Sequence, residues 1–86
     1  MTVRLSPGLF ERLPHLLEPA LVRAAVDSAQ PASGGWITVT IPLESVDYTA
    51  GVLLRLGDEA EVLAPARLRQ RMAFVAGRLA KTYQES

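Results

Sequence analysis

Leu53-Leu54-Arg55-Leu56-Gly57-Asp58-Glu59-Ala60-Glu61-Val62-Leu63-Ala64-Pro65-Ala66-Arg67-Leu68-Arg69-Gln70-Arg71-Met72 fits a helix end, a turn, a strand and a helix start into one short span. Gly57 is the residue type most tolerant of the left-handed conformation that closes helices. Glu61 to Ala64 is apolar and long enough for one small strand. Pro65 blocks further strand, and its fixed φ suits the first turn of a new helix. The sequence therefore predicts a small α+β unit. The span holds no Gly-rich phosphate cradle and no metal-ligand spacing, so its residues are structural.

Downstream, a helix is expected from Ala66 to about Gln84, with Leu68, Met72, Val75, Leu79 and Tyr83 as its buried stripe. Arg67, Arg71, Phe74, Arg78 and Lys81 fall on another side, Phe74 about 120° from that stripe. Upstream, Ser45 caps a helix whose first turn carries Asp47, which suits the positive end of the helix dipole. Val46, Ala50, Leu53 and Leu54 form its core face. Tyr48, Val52 and Leu56 lie opposite, so the helix is apolar almost all round. It is either sandwiched inside the domain or presents its second face to another domain.

Trp36 to Ile41 is the clearest strand, with Ile37, Val39 and Ile41 inward and Trp36, Thr38 and Thr40 outward. Pro42 ends it. Thr2 to Leu5 alternates in the same way. Ser6-Pro7 starts a helix that buries Leu9, Phe10, Leu13, Leu16 and Leu17, with Pro14 expected to kink or split it. Glu18-Pro19 ends that helix. Ala20 to Gln30 alternates Val22, Ala24 and Val26 against Arg23, Ala25 and Asp27, which favours a strand. Its alanine content also permits helix. Pro31 to Gly35 is a loop. The expected order is β-α-β-β-α-β with an added C-terminal helix. That is a ferredoxin-like split βαβ fold, a four-stranded antiparallel sheet with Thr2–Leu5 and Trp36–Ile41 as its central pair.

The chain has 86 residues, enough for a single domain spanning 1–86. Nine basic and nine acidic residues cancel, which argues against a dedicated duplex-DNA surface. There is no cysteine, hence no disulfide or thiol chemistry, which fits a reducing cytoplasm. No apolar run approaches a membrane span and no signal-peptide core is present. Mean hydropathy is +0.17, high for a small domain, and suggests apolar surface covered by a partner.

Gly35-Trp36-Ile37-Thr38-Val39, Leu53-Leu54-Arg55-Leu56-Gly57, Glu61-Val62-Leu63-Ala64-Pro65-Ala66-Arg67-Leu68-Arg69 and Tyr83 together resemble the C-terminal extension (WCX) domain of bacterial WYL-domain transcriptional regulators. The likeness covers about Thr2 to Tyr83 and is most distinctive from Trp36 to Met72. Family members carry a helix-turn-helix and a WYL domain ahead of this extension, so the resemblance implies the tail module alone. It implies a non-enzymatic role in dimer architecture and effector response, a homodimer, and contacts with the WYL and helix-turn-helix domains or a second subunit. DNA would be reached only through the helix-turn-helix. It brings no catalytic residue and no cofactor.

Candidate sites divide into three groups. For catalysis and metal binding, His15 has no carboxylate at a useful spacing and reads as a solvent-exposed side chain. Asp58, Glu59 and Glu61 lack calcium-loop spacing and read as a solvated turn, and Ser33-Gly34-Gly35 reads as a hairpin loop. On the expected open sheet face, Arg4, Arg23, Trp36, Thr38 and Thr40 could meet a small molecule or a single-stranded nucleic acid, although paired base-stacking aromatics are missing. Finally, Tyr48, Val52, Arg67, Arg71, Phe74 and Arg78 are the candidate protein interface, because a large aromatic within a basic patch marks a contact surface better than a solvated one.

Overall fold

Local signals at Ser6, Ser45 and Gly57 set the element boundaries. The computed structural model describes residues 1–84. In chain order they form β1 (Thr2–Leu5), α1 (Pro7–Leu16), α2 (Pro19–Ser28), β2 (Gln30–Pro31), β3 (Ile37–Thr40), α3 (Val46–Arg55), β4 (Ala60–Ala64) and α4 (Ala66–Gln84). Leu9 N–H donates to Ser6 Oγ at 3.1 Å, and Tyr48 N–H donates to Ser45 Oγ at 3.1 Å, so both serines cap as expected. Gly57 takes φ +72° just past α3. The protein is α+β, with a four-stranded antiparallel sheet in the order β2-β3-β1-β4 and a C-terminal helix. The two segments expected at the centre, Thr2–Leu5 and the strand after Trp36, are its central pair, with Trp36 itself just outside β3.

The strand expected over Ala20 to Gln30 is not there. Residues 19–28 are helix, opened by Pro19 at the first helical position. Glu18 sits at φ −64°, ψ 150°, outside the helical region, as a residue before proline prefers. Two side chains explain why helix wins. Ala25 is fully buried, while Val26, placed inward by the alternation reading, is 56% exposed. Ser28 Oγ accepts the Thr40 N–H at 2.7 Å, so this segment reaches β3 through a helix side chain instead of a strand ladder. Gln30 and Pro31 alone pair with β3, opposite Thr38 and Ile37, and keep the sheet at four strands. Two helices between β1 and β2, and so short a β2, depart from a plain βαββαβ order. Pro14 does not split α1 either. It sits exposed in the last turn, where a lost ladder bond disrupts least, and Leu17 N–H closes the helix on the Leu13 carbonyl at 3.0 Å.

The inner sheet face supplies Val3, Leu5, Val39 and Ile41, on which Leu9, Leu13 and Ala25 pack. Ile37, expected inward with them, is half-buried at the edge of this cluster. A second cluster joins Ala50 and Leu53 of α3 to Val62 of β4 and Leu68 of α4. Met1 and Leu56 touch both. The stripe expected along α4 is buried only at its start. Leu68 is inaccessible and Met72 and Val75 are half-buried, but Leu79 is 50% and Tyr83 74% exposed. The period was right, but the body of the domain ends before the helix does. Opposite β1, β4 is irregular near Leu63, where the register shifts between Thr2 and Val3.

Val39→Ala should cost about 1–3 kcal/mol, because the removed methyls leave a cavity in a site with no access to solvent. Thr40 is exposed and its contacts to Ser28 run through its backbone, so Thr40→Ala should cost far less. Urea melts of the two variants would show this order; equal losses would mean that the outer face is also packed.

Candidate functional site

On the open sheet face two of the candidates, Arg4 and Trp36, are engaged with each other. The Arg4 guanidinium lies 4.4 Å from the centroid of the Trp36 ring. Arg4 also donates from Nε to Glu61 Oε1 at 3.1 Å, and Arg69 of α4 reaches the other Glu61 oxygen at 3.1 Å. The same Arg69 donates to the Val62 carbonyl at 2.7 Å. Thr38 stands opposite Arg4 in the β1–β3 register, and Thr40 is exposed beside it. Arg23 is not on this face. It projects from α2, a consequence of the helix that replaced the expected strand.

The acidic run is not a merely solvated turn. Ser6 Oγ donates to Glu59 Oε1 at 2.9 Å, Arg12 donates to Glu59 Oε2 at 2.6 Å, and the Glu59 carbonyl accepts the Ser6 N–H at 2.9 Å. Glu59 thus ties the start of α1 to the turn before β4. Bonds from Ser6 and then Arg12 hold its carboxyl below the ordinary value of 4.5. Glu61 is lowered likewise, by Arg69 first and Arg4 second. No local signal could have revealed these ties, because Ser6, Arg12 and Arg4 are distant in the chain.

The candidate protein interface falls into two parts. On α4, Phe74 is 56% exposed, with the Arg71 guanidinium 5.8 Å and the Arg78 guanidinium 5.9 Å from its ring centroid. Arg71 also approaches Asp47 of α3 at 3.5 Å, and Arg67 is exposed one turn earlier. Tyr48 and Val52 lie elsewhere, in a cleft of about 250 Å³ between α3 and the α1–α2 pair. Val3, Leu5 and Ile41 form its floor, Leu13, Leu17 and Leu21 one wall, and Thr49, Val52 and Leu56 the other. Exposed Tyr48, Glu18, Glu44 and Arg55 stand around its mouth. The sequence did not reveal this cleft, because it needs the turn at Glu18-Pro19 to set α1 and α2 side by side.

A family model described as the WCX domain matches residues 1–80. The chain belongs to the WCX domain family. No curated protein and no solved structure matches it.

The match takes in every element of this WCX domain except the last turn of α4, so the Phe74 face and the cleft both lie within it. Four of the five sheet-face candidates come together, and Arg23 is the exception. Of the six interface candidates, Arg67, Arg71, Phe74 and Arg78 share α4, while Tyr48 and Val52 face the cleft. Among the described residues, no group of three or more His, Cys, Asp or Glu side chains could hold a metal ion. No helix among them is long and apolar enough to cross a membrane.

Both glutamates titrate lower in the folded chain than in the unfolded one. Their contribution is therefore complete above about pH 4.5 and is lost as pH falls through the lower folded values. Thermal melts across pH 2 to 7 should show wild type losing stability on this acid limb. Glu59→Gln and Glu61→Gln should flatten it. An unchanged limb in the double variant would assign the acid sensitivity to other carboxylates.

Proposed function

We propose that this WCX domain is a non-enzymatic regulatory and dimerisation module of a bacterial transcriptional regulator. It passes effector binding on through contacts with neighbouring domains or a second subunit. The observation that carries this reading is the Phe74 face. A phenylalanine more than half exposed between two arginines leaves a large apolar surface in water. Aromatic side chains and arginines are the residue types that dominate interface energetics. On this reading the partners are the WYL and helix-turn-helix domains of the parent regulator or a second copy in a homodimer. DNA is contacted only through the helix-turn-helix, and the protein works in the cytoplasm as one folded unit without a cofactor. The strand order β2-β3-β1-β4 supports treating the fold as a modified ferredoxin-like arrangement, with an extra helix in its first crossover.

A sensor of small molecules or single-stranded nucleic acid acting through the sheet face is the weaker alternative. Trp36 is the face's aromatic platform, but Arg4 already covers its ring and Glu61 already balances the charge of Arg4. A base would have to displace both to stack there.

Titrating the chain with the helix-turn-helix and WYL segment of a regulator from the same genome tests the leading reading. Phe74→Glu should weaken that binding, or self-association measured by sedimentation equilibrium, at least about tenfold. Circular dichroism should stay unchanged. A variant that binds as well as wild type would remove the Phe74 face from the interface. Oligonucleotide binding that falls steeply with salt would favour the sheet-face alternative.

A further inference from the structure

Around Phe74, α4 sorts like charge and an exposed ring onto one stripe. At 3.6 residues per turn, Arg67, Arg71, Phe74, Arg78 and Lys81 fall within about 80° of the helix and span about 21 Å of its length. All five are exposed, with Phe74 at the centre. Leu68 and Met72, which hold α4 to the domain, lie on another side.

Residues 66–84 contain no carboxylate, so nothing on α4 itself balances the four cations of the stripe. Arg71 meets Asp47 of α3 at 3.5 Å, a pair whose carboxylate stays largely in water. Among the described residues, Arg67, Arg78 and Lys81 form no ion pair. Arg67 and Arg71, four residues apart, repel each other. One kind of covering relieves both the repulsion and the exposed ring: carboxylates against the cations and an apolar side chain against Phe74.

The same face of a second copy does not provide that covering. Two-fold pairing here would oppose one stripe of four cations to another. Nor is the rest of the chain a better match. The cleft mouth sets Arg55 beside Glu18 and Glu44, and Glu59 and Glu61 are already bonded to arginines. A nucleic acid would meet the cations, but single strands stack successive bases on several rings and this stripe has one. The chain as a whole also carries no net positive charge. The Asp47 carboxylate against Arg71 already shows the pairing that a protein surface would extend.

We infer that the Phe74 stripe receives an acidic protein segment from outside this domain, with carboxylates beside Arg67, Arg78 and Lys81 and an apolar side chain on the Phe74 ring. This rests on the reading of the domain as a regulatory module and deepens it. Of the two partners named there, it selects a neighbouring domain for this face and not the matching face of a second copy. Self-association, where it occurs, uses another surface. The Arg71 and Arg78 guanidinium groups, 5.8 and 5.9 Å from the ring centroid, stand ready on either side of the contact. Covering excludes water from ring and cations together, so the apolar and charged contacts strengthen each other.

A fluorescein-labelled peptide of glutamates around a central leucine is the probe, read by fluorescence anisotropy against the full chain. It should bind, and its affinity should fall at least about tenfold from low to high salt. Arg67→Glu combined with Arg78→Glu, and separately Phe74→Ser, should each weaken binding at least about tenfold, with circular dichroism unchanged. A peptide with serine in place of the leucine should bind as weakly to wild type as the leucine peptide binds to Phe74→Ser. Equal binding of the two peptides would overturn the inference, as would tighter binding of labelled oligothymidylate, which would make the stripe a nucleic-acid surface. Because the chain has no cysteine, Phe74→Cys treated with a short bismaleimide tests the two-fold alternative. Efficient self-linking of that variant would overturn the inference while keeping the dimerisation reading. If the leucine peptide failed while the helix-turn-helix and WYL segment still bound wild type, this inference alone would fall; if neither bound, the regulatory reading would fall with it.

Discussion

Val3 lies between two other valines, Val39 on β3 and Val62 on β4, and the rest of the molecule is assembled around that row. All three are almost inaccessible to solvent, and β1, which supplies the middle one, is only four residues long. Val3 and Val39 belong to the cluster under α1 and α2, and Val62 to the cluster shared by α3 and α4. One short strand thus joins two small cores. Domains of this size bury only about 60–65% of their unfolded surface, so a handful of such contacts carries much of the stability.

What could be read from the sequence was whatever depends on near neighbours. Ser6 and Ser45 cap helices three residues away, and Gly57 closes one through its own backbone, so each announces itself locally. Residues 20–28 fit a period of two and a period of 3.6 equally well. The choice was made by Ala25 packing beneath the sheet and Ser28 bonding Thr40, neither of which is visible in a window of sequence. The stripe on α4 shows a different limit, since a period gives the direction of a side chain and not what lies opposite it. Phe74 could be placed off the buried face for that reason, while Leu79, expected in the buried stripe, is half exposed. Glu59 and Glu61 were the least legible, because their importance comes from arginines and a serine brought in by the fold.

The position of α3 resolves why that helix is apolar almost all round. Ala50 and Leu53 face α4, while Thr49 and Val52 face the cleft, so it is sandwiched on one side and open on the other. Asp47, at its first turn, also meets Arg71 beside Phe74. A small rotation of α3 would therefore be felt both in the cleft and on the aromatic face of α4. Exposed ion pairs such as this one contribute little stability, and the packing of Ala50 and Leu53 on Leu68 holds the two helices together.

Both borders of the sheet are unsuited to growth. One ends in β2, where Pro31 has no N–H to offer an added strand. At the other, β4 is irregular near Leu63 and the Val62 carbonyl is occupied by Arg69. Exposed, regular strand edges are the templates on which chains stack into fibrils, and short, bulged or blocked edges resist this. A chain of positive mean hydropathy therefore offers no ready strand template on which further copies could stack.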